Sequence, residues 1–146
     1  MRVDIGSYGT NYMLRAFVAL IGFGANLPED AVYASTSNDA DGQPLDGRSR
    51  YVLHFDEGSI PPADNFWSLT MYDSRGFLIA NELNRFRVGS LSNNLSANPS
   101  GSLDIWIQYT NPGERLLSNW LPAPSGRFKI IPLVGRQTQS RTCTGI

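Results

Sequence analysis

Cysteine, histidine and lysine are almost absent from this chain; Cys143, His54 and Lys129 are the only examples of each. A single cysteine cannot close an intramolecular disulfide or build a cysteine metal cage. With Lys129 alone, nearly all of the 12 basic residues are Arg. The guanidinium fork suits carboxylates and backbone carbonyls, so structural pairing is expected of it; a GC-rich coding sequence gives the same bias. Excess charge is also lacking. The balance of 12 basic and 13 acidic residues leaves a net charge of −1, which gives no electrostatic case for DNA or RNA. No apolar run reaches the roughly 18 residues of a membrane span. The start MRVDIGSYG lacks the charged and apolar parts of a secretory signal. The expectation is a soluble chain with no nucleic-acid or membrane partner, no cofactor and no address of its own.

What is present describes a core. Of 146 residues, 41% are hydrophobic and 17% charged, enough apolar material for one folded domain. NYMLRAFVALIGFGAN predicts a helix over about 11–23, capped by Thr10 or Asn11 and stopped by Gly22, Gly24 and Pro28. It is expected to cover a sheet edge or face. After it, short alternating strands are punctuated by turns: DAVYAST, RYVLHFD, FWSLTMYD, FLIAN, RFRVGS, SLDIWIQYT and RFKIIPLV. The segment NPGERLLSNWLPAPSG reads as irregular, a rigid plug in which Asn119 holds backbone and Trp120 packs on prolines. This pattern predicts a mainly β protein, an antiparallel β-sandwich of jelly-roll type with one N-terminal helix. Residues 1–135 form one module, and the polar tail 136–146 is expected to be disordered.

Alternation assigns faces. Trp67, Leu69 and Met71 oppose Ser68, Thr70 and Tyr72; Leu53 and Phe55 oppose His54 and Asp56; Leu103, Ile105 and Ile107 oppose Asp104, Trp106 and Gln108. Each strand thus has one apolar face and one carrying hydroxyls, an amide, His54 and large rings. Such a mixed face suits a ligand pocket, a wet domain interface or a second core under the helix. As a ligand site, Trp106 and Tyr72 would stack a ring, with His54, Gln108 and Thr70 supplying hydrogen bonds.

For catalysis, His54 with Asp56 two residues on forms a candidate acid/base couple, and Ser68 a candidate nucleophile. No G-x-S-x-G elbow surrounds Ser68. The four glutamates, Glu29, Glu57, Glu82 and Glu114, fall in turns, loops or element ends, so no glycosidase carboxylate pair can be picked out. Asp39, Asp41 and Asp46 are weak calcium candidates. With Gly42 sixth in an EF-hand loop the twelfth position is Arg48 instead of an acid. Asp-Gly turns are the plainer reading, so no metal is expected.

GSYGTNYMLRAFVALIGFGANLPEDAVY, DADGQPLDGRSRYVLHFDEGSIPPADNFWSLTMYD, NRFRVGS and SNWLPAPSGRF resemble the C-terminal module of a bacterial two-module family. That module is domain of unknown function 1214, usually preceded by a module numbered 1254, and the resemblance runs from about residue 5 to 129. It implies a jelly-roll β-sandwich in proteins often exported to the periplasm, and it supplies no catalytic residue. The ending FKIIPLVGRQTQSRTCTGI departs from the family's usual Trp- and Pro-rich close, as a shifted reading frame would make it. Pro132 there predicts an edge or broken last strand. The expectation is a non-catalytic module that docks a partner module, a second copy of itself, or a ring-bearing small molecule such as a sugar. The alternative is a hydrolase or isomerase using His54 and Asp56 on a carbohydrate-like or hydrophobic substrate.

Overall fold

The computed structural model describes residues 8–22, 31–60 and 66–135. The tail 136–146, the helix stop at Gly24–Pro28 and the proline pair at 61–62 lie outside them.

Helix α1, Tyr12–Gly22, begins where the Asn11 side chain accepts the Leu14 N–H at 3.0 Å, an N-cap bond. Val18 is buried and Leu14, one turn earlier, is half-buried, whereas Tyr12, Met13 and Phe17 are exposed. Among the described side chains of α1, Leu14 and Val18 form an inward i, i+4 pair. The helix makes no broad contact with any strand among the described residues.

The chain is mainly β. Strands β1 (Ala31–Tyr33), β7 (Phe128–Gly135), β3 (Trp67–Asp73) and β4 (Arg87–Gly89) form one sheet in the order β1-β7-β3-β4, with every pair antiparallel. Strands β2 (Tyr51–Phe55), β5 (Leu103–Gln108) and β6 (Trp120–Pro122) form a second, in the order β2-β5-β6. The two sheets share one core. Trp67, Leu69, Met71, Val88, Phe128 and Ile130 of the first meet Leu103, Ile105, Ile107 and Leu121 of the second. Two aromatic pairs bridge the sheets: Tyr51 sits edge-on to Phe128 at 5.8 Å, and Phe55 lies 5.6 Å from Trp67. Pairs of this kind add about 0.5–1.5 kcal/mol beyond their burial.

Three strand expectations change. FLIAN is not a strand, because side chains compete for its backbone. Asp73 takes the Phe77 N–H at 2.8 Å, and Asn81 Nδ2 donates to the Ile79 carbonyl at 3.3 Å. Asn81 Oδ1 takes the Leu83 and Arg85 N–H groups, just beyond the segment, at 3.2 and 3.0 Å. WLP, expected inside an irregular plug, is strand β6, and it pairs in parallel with β5. The connection 109–119, which carries the 3-10 helix Glu114–Asn119, is the crossover that parallel pairing requires. The second sheet is therefore mixed instead of antiparallel.

Pro132 neither breaks β7 nor sits on an edge. Thr36 and Ile130 exchange both backbone bonds, and at the next such position Ala34 donates to the Pro132 carbonyl at 3.2 Å. The missing N–H points along the same side, toward β1, which ends at Tyr33. The bonds to β3 run on the other side and survive.

Candidate functional site

The mixed faces do not form one surface. β2 and β5 lie in one sheet and β3 in the other, and each turns its apolar residues into the shared core. The side chains opposite them point away from that core on different sheets. Thr70 and Tyr72 are thereby separated from His54 and Trp106. Strand order decides this, and single-strand alternation cannot show it.

On the second sheet, register sets His54 directly across from Asp104. His54 Nδ1 lies 2.6 Å from Asp104 Oδ1, and Nε2 lies 3.3 Å from Asp56 Oδ1. The expected Asp56 contact is present, but the closer carboxylate is across the strand pair. Asp104 also accepts from Asn98 Nδ2 at 2.9 Å. The bond to Asp104 raises the His54 pKa above its ordinary value, with smaller help from the Asp56 charge. Asp104 is held below the usual carboxylate range by the same bond and by Asn98. The couple has an orienting carboxylate, but the expected nucleophile Ser68 sits in the other sheet, paired with Gly89 and Leu133. His54 also lines neither of the two described cavities.

Trp106 is half-buried in a cross-strand row between Val52 and Trp120. Gln108 is buried, and its Nε2 donates to the Thr110 carbonyl at 2.7 Å. Its own carbonyl accepts from Trp120 Nε1 at 3.0 Å. The Gln108 amide therefore ties a loop.

On the first sheet, Thr70 and Tyr72 line a cavity of about 680 Å³, within the usual range for small-molecule sites. β4 adds Arg87, the loop before it Leu78, Asn84 and Arg85, and the loop after it Asn93 and Asn94. Asp73 and Asn81 shape the first loop through the bonds given above. Asn84 there takes a left-handed backbone, φ 49°, which Asn tolerates better than most residues. Arg85 pins the wall by donating from Nη1 to the carbonyls of Leu117 at 2.7 Å and Trp120 at 2.8 Å. It satisfies the open end of the 3-10 helix, the structural role expected of the arginines. Sequence reading found Thr70 and Tyr72 but missed Asn84, Arg85, Arg87, Asn93 and Asn94. The run RFRV and the Asn pair in LSNNLS were the signals available.

Asp39, Asp41 and Asp46 do not converge on a metal. Asp39 Oδ1 accepts the N–H groups of Asp41 at 3.0 Å and Gln43 at 2.8 Å, closing a turn. Asp46 is gripped by Arg48 through two bonds of 2.9 Å, which hold its pKa down at about 2. Among the described residues no group of three His, Cys, Asp or Glu could hold a metal ion.

Asn119 is buried, and its Nδ2 donates to the carbonyls of Ser96 at 2.7 Å and Asp104 at 2.9 Å, while Oδ1 accepts the Ser96 N–H at 2.8 Å. It holds backbone as expected.

No curated protein matches the chain. Among solved structures, the VPA0106 protein from Vibrio parahaemolyticus is similar, with 27% identity and a TM-score of 0.68. The match covers 86% of this chain but 31% of that one, so this chain spans about a third of that relative's length. A family model described as "Protein of unknown function (DUF1214)" matches residues 30–133. The chain belongs to the DUF1214 family.

Proposed function

We propose that this chain is a non-catalytic module, a β-sandwich of jelly-roll type, that binds a ring-bearing small molecule such as a sugar beside Thr70 and Tyr72. The observation that carries it is the cavity of about 680 Å³, where the aromatic residues Tyr72 and Phe86 stand among amides and hydroxyls. A ring face for stacking and polar groups for hydroxyls are what a sugar needs. The test is a thermal-shift screen of sugars and other ring-bearing metabolites on the wild type, Tyr72→Ala and Trp106→Ala. A ligand at a hundred times its dissociation constant adds about 2.7 kcal/mol. A shift lost in Tyr72→Ala and kept in Trp106→Ala supports the groove. Silence across the screen, with a solution mass above monomer, favours a partner module or second copy as its occupant. Exposed Phe77 and Leu78 in the loop beside it favour that rival.

A second reading keeps His54 as an acid/base for a hydrolase or isomerase, favoured by the 2.6 Å contact with Asp104. Turnover lost in both His54→Ala and Asp104→Asn would support it.

A further inference from the structure

The groove is electrically lopsided. The chain as a whole carries 12 basic and 13 acidic residues, yet the groove lining contains Arg85 and Arg87 and no Asp or Glu. The acids nearest in sequence are committed elsewhere. Asp73, beside Tyr72, accepts from the Arg75 and Phe77 N–H groups at 2.9 and 2.8 Å and from Arg75 Nε at 3.2 Å. Glu82 accepts from Asn111 Nδ2 at 3.4 Å.

The two arginines differ in what they have left to offer. Arg85 spends Nη1 on backbone carbonyls, which leave its positive charge uncancelled at the wall. Arg87, opposite Thr70 in the β3–β4 register, is exposed and has no carboxylate within salt-bridge distance among the described residues. Arg48 and Arg75 show the contrast, each held by an aspartate two residues back. Around Arg87, the side-chain amides of Asn84, Asn93 and Asn94 make no hydrogen bond to another described residue. They are donors and acceptors suited to hydroxyls.

We infer, resting on the ligand-binding reading above, that the groove takes a polyhydroxylated ring bearing a carboxylate, which Arg87 receives. A guanidinium fork matches a planar carboxylate through two parallel bonds. One available fork fits a monoanion, whereas a phosphate dianion calls for more cationic donors than the groove leaves free.

The test is calorimetric titration of the full chain at low salt with D-glucuronate, its uncharged amide D-glucuronamide, and D-glucose 6-phosphate. The expected result is that glucuronate binds about tenfold more tightly than the amide, the order of one charge-assisted pair. The gap should close at high salt. Arg87→Gln should bring glucuronate to the amide's affinity and leave the amide unchanged, and Arg87→Lys should fall between. Equal affinities for acid and amide would overturn the anion inference and leave the groove as a neutral ring site. Tightest binding by the phosphate ester would overturn the carboxylate assignment. Absence of any binding, with Tyr72 and Asn93 amide resonances unmoved, would overturn both the inference and the reading beneath it.

Discussion

His54 and Asp104 stand opposite one another in the β2–β5 register, with Nδ1 2.6 Å from Oδ1. The imidazole pKa should therefore lie above 6.5 and the Asp104 carboxyl below 3.8. The raised histidine contributes stability that is complete below pH 6.5 and lost as pH rises through the folded pKa. The depressed aspartate contributes stability that is complete above pH 3.8 and lost as pH falls through its folded pKa. Both contributions are full between those two values. In an NMR titration of the imidazole, Asp104→Asn should return His54 toward 6.5, and Asp56→Asn should move it less. A larger effect from Asp56→Asn would reverse the assignment of partners.

Asn119 closes three backbone groups from two separate segments. Asn119→Ala strands them in a buried place, where each costs about 1–3 kcal/mol. Because the loop can relax, a total loss of about 2–4 kcal/mol is expected in urea unfolding. Asn119→Asp keeps the acceptor and loses both donors, so it should not restore the wild-type value.

Gly89 lets edge strand β4 lie close to β3. A Cβ there would sit 2.0 Å from the Trp67 carbonyl oxygen, a contact that backbone cannot relieve without moving. Gly89→Ala should cost about 1–3 kcal/mol, as overpacking does, and should shift the amide resonances of Ser90 and Arg87. An unchanged melting curve would mean that β4 does not press on β3.

Pro132→Ala supplies an N–H on the side of β7 facing β1, where Ala34 already donates. A change within about 1 kcal/mol is expected, since the proline's loss of donor costs little at this position. Ile131→Pro removes a donor on the β3 side, where Thr70 is its register partner, and should cost about 3 kcal/mol or more, by analogy with proline in other regular elements. Comparable melting temperatures for the two variants would contradict the register.

Local pattern in the sequence was readable wherever one strand decides the matter. Trp67, Leu69 and Met71 alternate into the core as read, and Asn11 caps α1. What failed depended on neighbours. FLIAN looks extended, but Asp73 and Asn81 claim its backbone, and such side-chain competition leaves no trace in hydrophobic spacing. Trp106 and Tyr72 share a pattern but not a sheet. Asp104 was assigned to the same kind of face as His54, yet only register makes it the nearer carboxylate. Asn93 and Asn94 read as loop filling because nothing in a loop's composition says what it will stand beside.

The most direct measurement is an amide-resonance map of the chain titrated with a ring-bearing ligand from the thermal screen. Shifts concentrated at Thr70, Tyr72, Arg87, Asn93 and Asn94, and abolished by Tyr72→Ala, are predicted. Shifts centred on Val52, His54 and Trp106, with the groove silent, would contradict the account and move the site to the other sheet.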